Sequence, residues 1–217
     1  METFQYKYGC FCRIQFRLLM KSLYNYIIYT DSRYDNKKYI DGKELIINSE
    51  LSERDYKFVN RIGTVKSIPI NYKTRIKPGD KVIVNHNVFR RWIDVRGKEK
   101  NSSSYIDENI YSVSPEQVYA YKNNGKWKCP DKYCFVKPLP QDFKWSLLKE
   151  KELVGELVYN NKLLSSLNVS VGDIVGFTPD SEYEFNIEDQ KLYRILSHHI
   201  TINYGRKKNK RETTQSC

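Results

Sequence analysis

The sequence is short of histidine and cysteine, and it lacks the motifs that mark the common metal- and nucleotide-dependent enzymes. Its 217 residues contain three histidines and five cysteines, with no Gly-His-Glu and no glycine-rich dinucleotide loop, so the signatures of zinc-dependent and nucleotide-dependent enzymes are missing. The cysteines, Cys10, Cys12, Cys129, Cys134 and Cys217, are odd in number and unrelated in spacing. They read as neither a disulfide framework nor a zinc ribbon, and free thiols in a reducing compartment are expected. His198 and His199 are adjacent; on a strand they would face opposite ways and could not share a metal or form a dyad. The expectation is a non-enzymatic chain with no metal site and no cofactor of its own. No apolar run approaches the roughly 18 residues of a membrane helix, and Arg13 and Arg17 interrupt the N-terminal apolar positions, against a secretory signal. Helical periodicity is nearly absent; only residues 52–60 and 146–153 could make a turn or two of helix.

What is present suits a soluble β protein. Apolar residues at 40% and aromatics at 14% can fill real cores. The net charge of +11 and pI near 9.3 fit an anionic partner, but part of the excess sits in "GRKKNKR", residues 205 to 211, which reads as a solvated tail. Residues 3 to 30 carry no acid, as in organelle transit peptides, yet have little serine, and Met20 is an equally plain start.

The chain repeats itself, and that changes the meaning of every other signal. "NYIIY" (25 to 29) and "KYCFV" (132 to 136) open two copies; "RIGTV" (61 to 65) and "LVGEL" (153 to 157) follow; then come "IKPGDKVIV" (76 to 84) and "NVSVGDIVGF" (168 to 177). "IYSVSPEQVYAY" (110 to 121) and "LYRILSHHITIN" (192 to 203) close them. Each copy is a succession of short strands broken by turns, the pattern of a small β-barrel. The offset between copies is 107 at Tyr26 and Tyr133, 92 at Gly63 and Gly155, 93 at Gly79 and Gly172, and about 83 at Ser114 and Ser197. The first copy therefore holds about fifteen extra residues between its first two strands, and a second excess near "GKEKNSSSY", residues 97 to 105. The first surplus contains "GKELIINSE", residues 42 to 50, three aliphatics in a charged and polar setting.

This order of signals resembles the co-chaperonin family typified by GroES, in the tandem form of plastid double co-chaperonins and some virus-encoded ones. The residues that carry the resemblance are Gly42 with Leu45, Ile46 and Ile47; Gly63 and Val65; Lys77, Gly79, Asp80, Val82 and Ile83; and Val113, Ser114 and Val118. In the second copy they are Gly155, Val171, Gly172, Asp173, Ile174, Val175, Ser197 and Ile200. The segments between the Gly-x-Val strand and the Gly-Asp turn are too short for the prominent hairpin of the family. The resemblance implies an all-β fold of two tandem GroES-like small β-barrels. Residues 1–23 are an extension, disordered or absent from the mature protein; 24–122 form the first barrel, with a mobile loop at about 31–57; 123–204 form the second, without the long loop; and 205–217 are a disordered basic tail. It also implies a ring of copies capping a GroEL-type chaperonin in the cytoplasm, the host's if the chain is virus-encoded, with an organelle as the lesser reading. Leu45, Ile46 and Ile47 would dock on the chaperonin, which itself binds the ATP, and unfolded clients would be reached indirectly; Gly42, Gly79 and Gly172 would serve loop and turns.

Two other readings stand beside this one. Leu45, Ile46 and Ile47 have the spacing of an ordinary buried strand extending the first barrel. Eighteen tyrosines, with Arg90, Arg91, Arg96, Lys98 and Lys100, could instead form stacking platforms on a cationic groove for single-stranded nucleic acid.

Overall fold

The computed structural model describes residues 21–34, 37–40, 43–46, 59–141, 150–188 and 190–206, and it is all-β in architecture. In chain order the first copy contributes β1 (Tyr26–Tyr29), β2 (Lys37–Ile40), β3 (Lys43–Ile46), β4 (Ile62–Ser67), β5 (Lys81–Val84), β6 (Arg91–Ile93), β7 (Glu99–Asn101), β8 (Tyr105–Asp107), β9 (Ile110–Val113) and β10 (Val118–Asn123). The connection carries β11 (Lys126–Lys128). The second copy contributes β12 (Tyr133–Pro140), β13 (Glu150–Tyr159), the short helix α1 (Lys162–Ser166), β14 (Asp173–Phe177), β15 (Tyr183–Ile187), β16 (Gln190–Leu196) and β17 (Ile200–Arg206).

Strand order establishes the duplication. The first large sheet runs β11-β10-β5-β4-β1-β9-β8, and the second, taken from its other edge, runs β17-β14-β13-β12-β16-β15. Without β11 the two have the same connectivity, strand for strand. The ladders also refine the alignment. Ile28 pairs with Val65 and Tyr111, and Val136 pairs with Leu157 and Tyr193, so the first strands match at an offset of 108 and the penultimate ones at 82. The pairing of Tyr26 with Tyr133 and of Ser114 with Ser197 is thus one residue out. Tyr26 corresponds to Cys134, and the turn at Pro115–Gln117 to that at Ser197–His199. The reason is the two-residue period of a strand. Tyr26 and Ile28 face the first core while Cys134 and Val136 face the second, and a one-residue slip would turn each set outward.

Neither large sheet closes into a barrel through its ladder. In the first, β11 occupies the outer edge of β10, so that edge has no place for β8. Residues 146–153, a candidate helical turn in the sequence, contain the start of β13 from Glu150; the helix that forms is α1, where Asn161 accepts the Leu164 amide at 2.8 Å as an N-cap. No strand forms between β4 and β5 or between β13 and β14, consistent with the missing hairpin. Gly205 and Arg206, expected to begin the tail, complete β17. No helix among the described residues is long and apolar enough to cross a membrane.

Three apolar clusters form among the described residues. One lies inside each copy, and the third lies between them. Tyr119 and Ala120 of β10 and Ile83 of β5 pack on Tyr133, Phe135, Phe185 and Leu192 of the second copy. Because β12 sends Cys134 and Val136 to its own core, and Tyr133 and Phe135 to this shared one, both of its faces are buried. That is why "YCFV" is apolar without alternation. Polar contacts close the seam: the Arg194 guanidinium lies 4.9 Å from the Tyr119 ring and 5.4 Å from those of Tyr133 and Tyr183. Tyr133 Oη donates to the Glu116 carbonyl at 2.7 Å.

Candidate functional site

The aliphatic segment sits on a hairpin of its own. Among the described residues β2 and β3 pair only with each other, in the register Lys37↔Ile46, Lys38↔Leu45, Tyr39↔Glu44 and Ile40↔Lys43. Leu45 and Ile46 are therefore strand residues, but they extend neither large sheet. Gly42 and Ile47 lie outside the described residues. The sequence signal for this hairpin is the dipeptide Asp41-Gly42 between the paired residues Ile40 and Lys43, since Asp-Gly is what two-residue hairpin connections favour.

Below the hairpin is a pinned neck. Tyr34 and Val59 form an antiparallel bridge and are both buried in the first core. The Asn60 amide donates to the Arg33 carbonyl at 2.8 Å, and Asn60 Nδ2 donates to Thr30 Oγ1 at 2.9 Å and to the Ser32 carbonyl at 2.7 Å. One asparagine side chain thereby ties both legs of the loop together, at roughly 1 kcal/mol per bond.

The second insertion of the first copy braces this neck. The offset falls from 93 at Val82 and Val175 to 82 at Tyr111 and Tyr193, and the extra residues hold the β6–β7 hairpin. Tyr34 Oη accepts the Arg91 amide at 3.0 Å and donates to the Arg91 carbonyl at 3.1 Å, while Arg33 Nη1 donates to Asn101 Oδ1 at 2.7 Å. The two stretches where the first copy is longer than the second are thus bonded to each other. Near its turn this hairpin exposes Trp92, Ile93 and, completely, Val95.

The basic cluster proposed for nucleic acid lies on the same hairpin, and acids temper it. Arg91 meets Glu99 at 3.1 Å, Lys100 meets Asp94 at 4.0 Å, and Asp94 Oδ1 accepts the amides of Arg96 and Lys98, both at 2.9 Å. Six of the eighteen tyrosines are spent on packing: Tyr26, Tyr34, Tyr111, Tyr119, Tyr121 and Tyr133 are all buried.

The Gly-Asp turns are built alike in both copies. Gly79 and Gly172 have φ of 92° and 91°, where an L side chain is strained, and their amides donate to Val65 and Leu157 at 2.8 Å each. Asp80 Oδ2 accepts the Lys77 amide at 2.9 Å, Asp173 Oδ2 the Ser170 amide at 2.8 Å, and each aspartate also takes an asparagine amide, from Asn123 and Asn203. These are turn-holding carboxylates.

Elsewhere, Cys129 and Cys134 are free and buried, and burial pushes their thiols up, Cys134 to about 12. Cys10, Cys12 and Cys217 lie outside the described residues. His198 and His199 are not on a strand; a tight turn brings their rings edge to face at 4.4 Å. Among the described residues no group of three or more potential ligands could hold a metal. No protein-family model matches the chain, and no curated protein sequence is significantly similar to it.

Proposed function

We propose that this chain is a co-chaperonin-like protein, a tandem GroES-like fold that assembles with itself and caps a GroEL-type chaperonin through Leu45, Ile46 and Ile47. The observation that carries the proposal is the β2–β3 hairpin: it lies where the first copy is longer than the second, stands outside the strand order that both copies share, and is flanked by a braced neck. A core strand would be needed twice; a docking element needs to occur once per chain.

Energetics favour such a device. Burying three aliphatic side chains gains about 4–9 kcal/mol at roughly 1.5–3 each, whereas ordering ten free residues costs about 10–20 kcal/mol at roughly 1–2 each. The pairing of β2 with β3 lowers that cost. One such loop still binds weakly, and several on one assembly add avidity while each contact stays releasable.

Self-assembly is supported by the seam between copies, which is head to tail. The face of β10 buried there, Tyr119 and Ala120, corresponds to Thr201 and Ile202 of β17, where Ile202 and the nearby Tyr204 are 48% and 59% exposed. In the first copy Leu23 and Tyr24, just before β1, are exposed as well. Repeating the internal contact between chains would cover the exposed face of β17.

The test is retention of the full chain on a GroEL-type chaperonin with nucleotide, together with the mass of the assembly. Ile46→Asp is expected to abolish retention while leaving melting and assembly mass unchanged. Retention of the Ile46→Asp protein at the parental level would refute the proposal.

A further inference from the structure

A recess at the junction of the two copies has the makings of a ligand site, and nothing in the proposed function uses it. It has a volume of about 440 Å³, within the roughly 300–1,000 Å³ range of small-molecule pockets. Its walls are apolar where Ile76, Val118 and Pro130 contribute, and three cations, Lys73, Arg75 and Lys132, stand around it against one carboxylate, Asp131. That carboxylate is already engaged, since Asp131 Oδ1 accepts the Lys162 amide at 3.2 Å. Lys132 has Glu116 3.8 Å away, with both side chains more than half exposed, a pairing that a stronger anion can displace.

A trio of hydroxyls forms the polar edge of the recess. Tyr26 Oη lies 2.6 Å from both Tyr72 Oη and Thr74 Oγ1, and Thr74 Oγ1 accepts the Ile76 amide at 3.2 Å. Tyr26 is buried, whereas Tyr72 is 37% exposed and lines the recess, so its O–H is the one that can turn towards a bound anion. A cationic fork, two lysines and a half-exposed phenol beside an apolar wall are the complement of an oxyanion on a small apolar body. In the second copy α1 occupies the stretch that corresponds to residues 70–74.

We propose that this recess binds a small phosphomonoester, with Arg75 and Lys132 on the phosphate, Tyr72 donating to it, and the organic part against Val118 and Ile76. The site is independent of the chaperonin reading.

The test is isothermal titration calorimetry on the full chain with phenyl phosphate, inorganic phosphate and benzoate. Phenyl phosphate is expected to saturate one site per chain, at least about tenfold more tightly than inorganic phosphate, because only it reaches the apolar wall, and more tightly than benzoate. Arg75→Gln with Lys132→Gln should weaken it tenfold or more at an unchanged melting temperature. Tyr72→Phe, which leaves the fold's apolar contacts in place, should weaken it several-fold. The assignment is overturned by the absence of saturable heat up to about 10 mM, by benzoate binding as tightly as phenyl phosphate, or by undiminished affinity in both variants, which would place the anion on other cations of this basic chain.

Discussion

Gly63 and Gly155 occupy the same place in the two copies but tolerate an added methyl very differently. A Cβ on Gly63 would meet Ile28 Cδ1 at 3.1 Å, the Tyr29 carbonyl oxygen at 3.2 Å and Phe89 Cζ at 3.3 Å. Each must give by a few tenths of an ångström, and two of the three are side-chain ends. The strain is about 1 kcal/mol, and relief from glycine's extra chain entropy, roughly 0.5–1 kcal/mol, offsets much of it. A Cβ on Gly155 would meet Val136 Cγ1 at 2.3 Å and the Lys137 carbonyl oxygen at 2.7 Å. The second contact is with the paired strand itself, where Lys137 is opposite Glu156 and Pro138 opposite Gly155. Relief there means separating β12 from β13, at the upper end of the overpacking range, about 3 kcal/mol, with lost ladder bonds in addition. Urea denaturation of Gly63→Ala and Gly155→Ala, read as midpoint shifts at constant slope, measures the difference. Gly155→Ala is expected to lose at least about 2 kcal/mol more than Gly63→Ala. Equal losses would refute the close-approach argument and the register on which the repeat alignment rests.

Other consequences follow from the seam and the neck. His86, held down to about 4 by burial and by the Arg61 and Arg90 charges, meets the Tyr183 hydroxyl through Nδ1. The unfolded chain therefore binds this proton first as pH falls, and stability is lost between the ordinary histidine value of about 6.5 and about 4; since the ring is only half buried, solvent screening reduces the effect to about 1 kcal/mol. His86→Asn should flatten that part of a pH–stability curve, and an unchanged slope would exclude His86 as its source. Tyr34→Phe removes the hydroxyl that bonds the Arg91 amide and carbonyl, and should cost about 1–2 kcal/mol. It should also speed amide exchange at Arg91 with little change in β12 and β16; uniform acceleration in both copies would instead mean global loosening.

Much of the architecture was legible because its causes are local. The Gly-Asp turns could be read at Gly79 and Gly172 because a positive φ selects glycine and a carboxylate two or three atoms long can cap its own turn. The strands around Val82 and Val175 followed from β-branched runs, and the duplication from the order of these elements. The register was read one residue out at Tyr26 and Ser114 because letter similarity cannot tell which face of a strand is buried. α1 was missed because five residues hold no helical period, and its cap, Asn161, draws its value from contacts with the Tyr133 carbonyl and the Ser197 hydroxyl that lie far along the chain.

The sequence by itself determined that the chain is β-rich and duplicated, that two insertions belong to the first copy, and that one of them carries an aliphatic triplet, since composition, turns and strand periods are properties of short segments. Tertiary structure alone decided that the sheets stay open, that β10 and β12 share an apolar seam lined by Arg194, and that the two insertions meet at Tyr34 and Arg91. These depend on contacts between residues tens of positions apart, whose formation is governed by the packing of whole faces rather than by the preference of any segment.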